Sequence, residues 1–415
     1  MKGVYVGLGG NICDRAGNLF RARVALAALP GTRVVARSRL YETEPVGLRE
    51  QPWFLNQVVE VETELAPEEL LPSLLDIEQR LGRVRTVRWG PRPVDLDLLL
   101  FGEETRSSPA LTLPHPRLTE RAFVVQPLAE LAPELTLPGG TSVAALAERL
   151  GQAGGPEVRL WRPRLVGEPR LRHAELDSTN AEAQRLAASG AGEGTTVVAA
   201  CQTAGRGRQG RRWLSPPGLG LYLSVLFRPT FLLAAEAPLF TIAGAVAACQ
   251  AARSLGATDA ALKWPNDLVS GGRKAGGVLA EASAAATGRL ASVVLGIGLN
   301  VGHRAADFPP GLRDQATSLV QEAERPLTVE EAEEALLSEL NEVYLGFLTH
   351  GPAWLIDRYR TMLATLGRQV TVTGPAGVAH GLAEDLDGAS GALILRLDDG
   401  RRQVCRVGEV SLRTT

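Results

Sequence analysis

The stretch Val94-Asp95-Leu96-Asp97-Leu98-Leu99-Leu100-Phe101 decides how the first part of the chain folds. Successive side chains of a β-strand point to opposite faces of a sheet, so Asp95 and Asp97 share one face while Leu96 and Leu98 pack on the other. Two carboxylates on one strand face repel each other unless a cation lies between them. Oxygen ligands in this arrangement suit Mg²⁺, which takes one or two carboxylates together with substrate phosphates. The stretch therefore predicts a strand that carries a magnesium site.

The residues before this strand predict an α+β domain. Hydrophobic periodicity and turn residues indicate the order β-α-β-β-α-β, which is the order of the ferredoxin-like fold. The predicted strands and helices cover residues 2–8, 17–29, 33–42, 54–63, 67–81 and 94–101. A further helix is predicted near 119–132.

A stretch rich in Gly and Pro, 151–172, separates this domain from the rest of the chain. We predict a first domain at 1–158, a linker at 159–170, a mixed-sheet domain at 171–366 and a small β-barrel at 367–415. In the mixed-sheet domain, helices are predicted near 179–188, 236–255, 328–348 and 352–366, and strands near 195–202, 219–228, 260–264, 277–281 and 291–299. The barrel is predicted from short strands joined by turn residues.

The composition is that of a soluble globular protein. The 415 residues carry a net charge of −2 and are 45% hydrophobic, which argues against a bulk nucleic-acid binder. The four cysteines have no metal-type spacing, and no run of about 20 apolar residues that would span a bilayer is evident. We therefore expect a cytoplasmic protein without a membrane partner.

Lysine is rare in this chain. Of 44 basic residues only Lys2, Lys263 and Lys274 are lysine. Lysine is a compact point charge, whereas arginine is a planar fork, so a lysine in this context indicates a need for an ammonium group. The alternative is that both later lysines are ordinary surface residues.

Four arginines lie within ten residues just before the acidic strand, in the stretch 83–92. Each guanidinium can hold two phosphate oxygens, so this stretch predicts a polyphosphate clamp beside the magnesium site. The alternative is an edge strand with solvated acids next to a basic loop.

A series of motifs runs in order through residues 1–160. They are Gly9-Gly10-Asn11, Tyr41-Glu42-Thr43-Glu44-Pro45, Gln51-Pro52-Trp53-Phe54-Leu55-Asn56, Gly82-Arg83-Val84-Arg85, Arg88-Trp89-Gly90-Pro91-Arg92-Pro93-Val94-Asp95-Leu96-Asp97, Pro114-His115-Pro116 and Arg121-Ala122-Phe123. This series resembles the family of 6-hydroxymethyl-7,8-dihydropterin pyrophosphokinases. Gly10 stands where that family commonly has Ser.

The resemblance implies a function for the first domain. Two Mg²⁺ ions held by Asp95 and Asp97 would bridge ATP and the hydroxymethyl group of the pterin, while Arg83 and Arg92 would act as catalytic residues on the transferring pyrophosphoryl group. The residues implied to bind nucleotide or pterin are Asn11, Thr43, Pro45, Asn56, Glu78, Arg85, Trp89, His115, Arg121 and Phe123. Of these, Glu78, Trp89 and His115 would line the ATP side, and Asn56 and Phe123 the pterin side.

A loop rich in Gly and Arg, 205–213, follows a predicted strand of the second domain. Its glycines allow backbone N–H groups to approach an anion closely while its arginines supply positive charge. It lacks the Gly-Lys-Ser/Thr of a Walker A loop. A disordered RNA-binding segment is the alternative interpretation.

Further motifs accompany this loop in order. They are Asp177-Ser178-Thr179-Asn180, Gln202, Lys263-Trp264-Pro265-Asn266-Asp267, Lys274-Ala275-Gly276-Gly277-Val278-Leu279 and Gly296-Ile297-Gly298-Leu299-Asn300-Val301. Together they resemble the biotin–protein ligase family. The resemblance implies a synthetase-like mixed sheet followed by an SH3-like barrel.

The same resemblance implies site residues for the second domain. Lys274, between the biotin carboxylate and the α-phosphate of ATP, and Arg208, in contact with biotin, are the implied catalytic residues. The residues implied to bind biotin or its adenylate are Ser178, Thr179, Asn180, Gln202, Gly205, Arg206, Arg211, Trp213, Lys263, Asn266, Asp267, Gly276, Gly298 and Asn300. Lys263 is either catalytic or orients Asp267. The implied partner is an apo biotin carboxyl carrier protein.

Three functional hypotheses follow. The first is a fusion of two active enzymes, and the second is an active ligase whose first domain only senses a ligand. The third, a nucleic-acid-binding regulator, lacks a reading helix and a net basic charge. Repressor-type ligases begin with a DNA-binding helix-turn-helix, and here the first domain takes that place, so we expect no specific DNA binding.

Overall fold

The computed structural model describes residues 3–48, 50–84, 90–137, 139–161, 165–323, 325–374, 377–406 and 408–412. It divides into two compact units, Met1–Pro163 and Arg164–Thr415. The division lies within the predicted linker, 159–170.

The first unit is an antiparallel sheet with helices. Its elements are β1 Val4–Gly10, α1 Arg15–Ala27, β2 Thr32–Arg37, β3 Tyr41–Thr43, β4 Phe54–Thr63, α2 Pro67–Arg80, β5 Asp95–Phe101, β6 Arg106–Ser107, β7 Thr112–Leu113, α3 Ala122–Leu131, α4 Val143–Gln152 and β8 Val158–Leu160. The sheet order is β5-β1-β4-β3-β8, and β2 also pairs with β4. The predicted α+β class is confirmed for this unit.

Two elements of this sheet differ from the prediction. The single strand predicted at 33–42 is two strands, because its register against β4 shifts by one residue between Arg37, opposite Val59, and Tyr41, opposite Asn56. At this shift the N–H of Ser38 donates to Val58 O at 2.9 Å and Ser38 Oγ accepts from Val58 N at 3.1 Å. The second difference is β8. It pairs with β3, so the predicted linker begins within a strand of the first sheet.

The helix α2 shows how the sequence fixes an element beside the site. Pro67 fits the first turn, where its missing N–H costs no hydrogen bond, and Glu69 Oε2 accepts from the N–H of Ala66 at 2.9 Å. Leu70, Leu74 and Ile77 are buried, and they recur at the spacing of one helix face. This face packs on β5 and brings the last turn of α2 beside the acidic strand.

The second unit contains two sheets. Its elements are β9 Arg170–His173, α5 Thr179–Ala188, β10 Thr196–Ala199, β11 Gly220–Phe227, α6 Pro238–Ser254, β12 Ala261–Lys263, β13 Asp267–Ser270, β14 Arg273–Ala284, β15 Leu290–Asn300, α7 Leu319–Ala323, α8 Val329–His350, α9 Pro352–Met362, β16 Gln369–Gly374, β17 Gly377–Leu386, β18 Leu393–Leu397, β19 Arg402–Cys405 and β20 Glu409–Leu412. The larger sheet has the order β12-β13-β14-β15-β11-β10-β9. Only β9 and β10 pair in parallel among its described strands, so the sheet is mixed as predicted.

The core of this unit forms between its long strands and α6. Phe227 on β11 lies 5.0 Å from Phe240 on α6 and 4.7 Å from Tyr344 on α8, measured between ring centroids. Residues Ala234–Ser254 are long and apolar enough to cross a membrane by length and composition, contrary to the expectation that the chain has no such segment. Because 61% of its most apolar 18-residue window is buried inside the structure, it fits a core helix.

The smaller sheet is formed by the last residues of the chain. Its order is β19-β18-β17-β16-β20, with antiparallel pairs throughout. In the described part of the chain β19 and β20 lie at opposite ends of this order, so the sheet is not the closed barrel that was predicted for 367–415.

Candidate active sites

The acidic strand holds its two carboxylates as its sequence predicts. Along β5, Asp95 and Asp97 are half-buried while Leu96 and Leu98 are buried. Three guanidinium groups reach the carboxylates. Arg83 Nη1 contacts Asp95 Oδ1, Arg92 Nη2 lies 2.9 Å from Asp95 Oδ2, and Arg121 Nη1 lies 2.8 Å from Asp97 Oδ2.

Glu78, at the end of α2, completes this cluster. Its Oε1 accepts from Arg83 Nη1 at 2.7 Å and from the N–H of Leu96 at 2.7 Å. Burial, with a smaller contribution from the charge of Asp95, raises the pKa of Glu78 to about 7. Burial would also raise the pKa of Asp95, but the charges of Arg92 and Arg83 outweigh it and hold that pKa below its usual range.

His115 and Phe123 lie near the other end of the acidic face. The N–H of His115 donates to Leu99 O at 2.9 Å, and burial lowers the pKa of the His115 imidazole. The Arg121 guanidinium lies 5.6 Å from the centroid of the Phe123 ring. Arg121 thus contacts both the acidic strand and an aromatic side chain in the first turn of α3.

The predicted pterin residues Thr43 and Asn56 lie together. Asn56 Nδ2 donates to Thr43 Oγ1 at 2.7 Å, and Pro45 is buried just beyond Thr43. A Cβ on Gly9 would lie 2.6 Å from Asn56 Oδ1. Glycine at this position therefore leaves room for the Asn56 amide against β1.

Asn11 connects the arginine stretch to the loop after β3. Its Oδ1 accepts from the N–H of Arg92 at 2.8 Å, and its Nδ2 donates to Gln51 Oε1 and Pro52 O, both at 3.0 Å. A Cβ on the neighbouring Gly10 would lie 2.2 Å from Pro93 O. Glycine at this position therefore allows the close approach of the two segments. Two further predicted residues, Arg85 and Trp89, lie outside the described residues.

The second site begins where α5 meets the sheet. Thr179 Oγ1 and N donate to Gln202 Oε1 at 3.2 and 2.8 Å, and Gln202 Nε2 donates to Ser215 Oγ at 2.9 Å. Ser178, directly before α5, is buried. The predicted biotin residues Ser178, Thr179 and Gln202 are thus brought together, with Ser215 as an added partner.

Asn180 and Glu281 extend this hydrogen-bond network. Ser224 Oγ lies 2.8 Å from Thr179 Oγ1 and 2.6 Å from Asn180 Oδ1. Asn180 Nδ2 donates to Glu281 Oε2 at 2.7 Å, and Arg206 Nη2 lies 3.3 Å from the same oxygen. Glu281 is therefore a link between the loop 205–213 and α5 that sequence reasoning missed.

Lys274 contacts a carboxylate and an aromatic ring. Its Nζ lies 2.6 Å from Asp267 Oδ1 and 5.5 Å from the centroid of the Trp213 ring. Lys263 lies opposite Asp267 in the register of β12 and β13. The register thus places Lys263 across from Asp267, whose carboxylate Lys274 contacts.

Of the predicted glycines, Gly298 lies against the ring of Trp213, and Gly277, opposite it in the register of β14 and β15, lies against the same ring. A Cβ on Gly298 would lie 2.7 Å from the Trp213 indole, and a Cβ on Gly277 would lie 3.6 Å from it, whereas a Cβ on Gly276 would meet Leu299 at 2.7 Å on the other face. A Cβ on Gly205 would lie 2.6 Å from Trp213 O. The Trp213 Nε1 atom is buried without a hydrogen-bond partner among the described residues.

The arginines of the loop 205–213 contact the smaller sheet as well as the larger one. Arg208 Nη1 donates to Asn266 Oδ1 at 3.1 Å and to Gly408 O at 3.3 Å, and burial lowers its pKa. Arg211 forms an ion pair with Glu409 on β20. Gly408 and Glu409 were not among the predicted residues.

The two asparagines of the second site bind backbone carbonyl groups. Asn266 Nδ2 donates to Val278 O at 2.7 Å. Asn300 Nδ2 donates to Thr317 O at 2.9 Å and to Lys274 O at 3.4 Å. Asn300 thereby holds the backbone of Lys274 in place.

Comparison with known protein families gives a match in each unit. The model of 7,8-dihydro-6-hydroxymethylpterin-pyrophosphokinase (HPPK) matches residues 5–133. The model of the biotin/lipoate A/B protein ligase family matches residues 174–300, and the model of the biotin protein ligase C terminal domain matches residues 365–413.

Individual relatives agree with these matches. A 2-amino-4-hydroxy-6-hydroxymethyldihydropteridine pyrophosphokinase of Methylorubrum extorquens is 51% identical over 148 residues, which cover 36% of this chain and 94% of that protein. The bifunctional ligase/repressor BirA of Bacillus subtilis (strain 168) is 33% identical over 260 residues, which cover 62% of this chain and 79% of that protein.

A solved structure is similar to the second unit. It is the biotin protein ligase from Aquifex aeolicus in complex with biotin and ATP, with 29% sequence identity and a TM-score of 0.51. The superposition covers 60% of this chain and 100% of that chain.

Proposed function

The chain belongs to the HPPK family through residues 5–133 and to the biotin protein ligase family through residues 174–413, and from this premise we propose which residues carry each activity. The protein is a bifunctional enzyme that combines HPPK of folate synthesis with biotin protein ligase. A first domain that only senses a ligand is not favoured.

In the first site, the hydroxymethyl oxygen of the pterin attacks the β-phosphorus of ATP, and AMP leaves. Arg83 and Arg92 stabilise the negative charge of the pyrophosphoryl group during transfer, since phosphoryl transfer depends mostly on positioning and on charge neutralisation. Their contacts with Asp95 support this role, because they place both guanidinium groups beside the acidic face.

Asp95 and Asp97 are the residues that would hold Mg²⁺. Among the residues that the structure describes, no group of three or more His, Cys, Asp or Glu is arranged to hold a metal. Two carboxylates on one strand face nevertheless fit Mg²⁺, which completes its shell with water and substrate phosphates. When bound, Mg²⁺ would neutralise the charge of the ATP phosphates.

The substrates of the first site would lie on either side of this acidic face. Asn56, Thr43, Pro45 and Phe123 would hold the pterin, with Phe123 against its ring. Residues on the ATP side would be Glu78, His115 and Trp89, with Asn11, Arg85 and Arg121 as further binding residues. The contact between Asn56 and Thr43 at 2.7 Å supports the pterin side.

In the second site, the biotin carboxylate attacks the α-phosphorus of ATP, and pyrophosphate leaves. Lys274 offsets the charge that builds up between these two anions. Ser178, Thr179, Gln202 and Arg208 would contact biotin, and Gly276 and Gly298 would line its pocket. Arg211, Trp213, Asn266 and Asn300 would hold the adenylate, with Asn180, Gly205, Arg206, Lys263 and Asp267 as supporting residues.

The biotinyl adenylate would then react with a lysine of an apo biotin carboxyl carrier protein, and AMP would leave. We place the enzyme in the cytoplasm, without a membrane partner or a specific DNA site. In the same proposal, the first unit has the ferredoxin-like fold, and the second unit has a synthetase-like sheet followed by an SH3-like domain.

This assignment is carried by one observation: each unit holds its own cluster of charged residues, around Asp95 in the first and around Lys274 in the second. It is tested with labelled ATP, supplied once with the pterin alone and once with biotin alone. We expect AMP and pterin pyrophosphate in the first reaction, and biotinyl adenylate and pyrophosphate in the second. No product with the pterin would contradict the assignment of the first site.

A further inference from the structure

One guanidinium outside the predicted site contacts both ends of the loop 44–52. Arg159 lies on β8, and its Nη2 and Nε donate to Glu42 Oε2 at 2.8 and 3.2 Å. The same guanidinium lies 4.3 Å from the centroid of the Trp53 ring. Glu42 precedes the loop and Trp53 follows it, so Arg159 joins the two ends.

The backbone around Arg159 is held by β3. In the register of these strands, Arg159 lies opposite Glu42 and Val158 lies opposite Thr43. The ladder extends beyond the strands, because the N–H of Glu44 donates to Glu157 O at 3.0 Å and the N–H of Trp161 donates to Leu40 O at 2.9 Å. Residues 157–161 therefore form an edge of the sheet that contains Thr43.

A second arginine contacts the same two residues, Glu42 and Trp53. Arg15 Nη1 donates to Trp53 O at 2.7 Å and lies 2.9 Å from Glu42 Oε1. Burial would raise the pKa of Glu42, but hydrogen bonds from Arg159 and Arg15 lower it. Glu42 is therefore a charged acceptor for both guanidinium groups.

A cavity of about 570 Å³ borders these residues. A ligand site is therefore the alternative to a positioning role for Arg159. The lining of the cavity includes Arg15, Glu42, Trp53 and Arg159. The carboxylate and the two guanidinium groups of this lining are paired with each other, which favours a structural role for these three side chains, while Asn11, a proposed substrate-binding residue, lines the same cavity.

We propose that Arg159 is a positioning residue for pterin binding, and that the functional part of the first enzyme extends to residue 161. The proposal rests on the proposed pterin site at Thr43 and Asn56. Thr43 ends β3, which β8 borders, and Asn56 lies three residues after Trp53. The ladder of β3 and β4, with Tyr41 opposite Asn56 and Thr43 opposite Phe54, sets the spacing of the two segments, and Arg159 holds the end of this ladder where the chain enters and leaves the loop 44–52.

The test compares variants of the full chain in the pterin assay. Arg159→Ala is expected to raise the KM for the pterin roughly fivefold to tenfold, because it removes a charge-assisted pair and a cation–π contact. The kcat and the KM for ATP are expected to stay within about twofold of the parent if the remaining contacts keep the ATP side in place. Arg159→Lys should lie between, since Lys keeps the charge but not the planar fork.

Two controls accompany these variants. Arg33→Ala removes an exposed arginine of the same sheet, which pairs with Glu62 at 2.9 Å, and it should leave the KM for the pterin unchanged. Biotin adenylation by the same preparations gives the concentration of chains with an active second unit, to which the pterin rates are normalised.

Each outcome has a separate meaning. A parent that does not turn over the pterin contradicts the proposed function itself. A parent that does so, with the same KM in Arg159→Ala, overturns the positioning role. If Arg159→Ala lacks a folded first unit, Trp53→Leu decides, since it removes the other partner and should raise the same KM. A parent-like KM in Trp53→Leu would then overturn the proposal.

Discussion

At the scale of single residues, Lys274 shows why arginine and lysine are not equivalent. Its Nζ lies 2.6 Å from Asp267 Oδ1 and 5.5 Å from the Trp213 ring. An ammonium group fits between a carboxylate and a ring, whereas a guanidinium needs a wider, planar space. We expect Lys274→Arg to slow biotinyl adenylate formation by about 10²- to 10³-fold, measured with labelled ATP in single-turnover reactions.

The neighbouring residue provides a control for this substitution. Arg273 Nη2 lies 2.7 Å from Glu322 Oε1, so Arg273→Lys keeps a charge next to a carboxylate outside the predicted site. It should react at the parent rate. Equal rates for Lys274→Arg and the parent would remove the argument that this position requires an ammonium.

Asp95 allows a matching test in the first unit. Asp95→Asn keeps the shape of the side chain but removes the charge that Arg83 and Arg92 contact and that would hold Mg²⁺. We expect pyrophosphoryl transfer to the pterin to fall by at least about 10²-fold and biotin adenylation to be unchanged. Asp76→Asn, which removes an exposed partner of Arg80 on α2, should affect neither reaction. Normal pterin turnover in Asp95→Asn would exclude a metal role for Asp95.

The sequence predicted some residues of the sites and missed others for a physical reason. The shared face of Asp95 and Asp97 follows from the two-residue period of a strand, which is local. Glu281 and Glu409 were missed because their arginine partners, Arg206 and Arg211, are 75 and 198 positions away. Only the folded sheet brings such pairs together.

At the scale of elements, β15 shows how a glycine within a strand supports a site. A Cβ on Gly298 would lie 2.7 Å from the Trp213 indole, and overpacking of this kind costs about 1–3 kcal/mol. We therefore expect Gly298→Ala to displace Trp213 and to raise the KM for biotin roughly tenfold, measured by adenylate formation. Gly192→Ala, where a Cβ would meet no atom within 4 Å, is the control. If the KM for biotin in Gly298→Ala equals that of the parent, displacement of Trp213 does not weaken biotin binding.

The carboxylate of Glu130 on α3 contacts Arg39 and Tyr41 at the start of β3. Glu130 accepts from Tyr41 OH at 2.5 Å, from Arg39 Nε at 2.6 Å and from the N–H of Arg39 at 2.7 Å. Burial would raise the pKa of Glu130, but the hydrogen bonds from Arg39 and Tyr41 outweigh it and lower the pKa. A lowered pKa stabilises the folded state above the unfolded pKa of about 4.3, and this contribution is lost as the pH falls through the folded pKa.

This connection predicts a pH-dependent effect on stability. Glu130→Gln should lower the free energy of unfolding of the first unit by about 1 kcal/mol at pH 7, a value reduced for solvent screening. The difference from the parent should shrink below about pH 4. Urea unfolding at both pH values measures it, with Glu148→Gln on the exposed face of α4 as the control. A difference that grows at low pH would contradict this assignment.

The elements that the sequence predicted are those with local signals. The predicted bounds of β4 and α5 agree with the structure, at Phe54–Thr63 and Thr179–Ala188. The hairpin of β13 and β14 was missed, although Gly271 and Gly272 have φ values of 54° and 76° and a Gly-Gly pair is a turn signal. The three residues of β8 have no such signal, since their pairing with β3 depends on a contact more than 100 positions away.

At the scale of the whole molecule, the two compact units determine where the chain can be cut. We expect a protease site inserted within 162–164 to leave both activities near the parent values after cleavage, because β8 stays with the first unit. Cleavage between Gly154 and Gly155 leaves β8 on the other fragment. A ladder of three residues between separate chains is too weak to persist, so this cut should raise the KM for the pterin.

Comparison of the two cuts distinguishes the effect of the position of the cut from the effect of cleavage itself. Both add the same inserted sequence, and both leave biotin adenylation as an internal measure of the second unit. If cleavage within 162–164 also raises the KM for the pterin, the first enzyme depends on residues beyond 161. If neither cut affects that KM, the attachment of β8 to the first unit is not needed for pterin binding. A KM raised by the earlier cut alone places the boundary after β8, because that is the one element whose attachment differs between the two products.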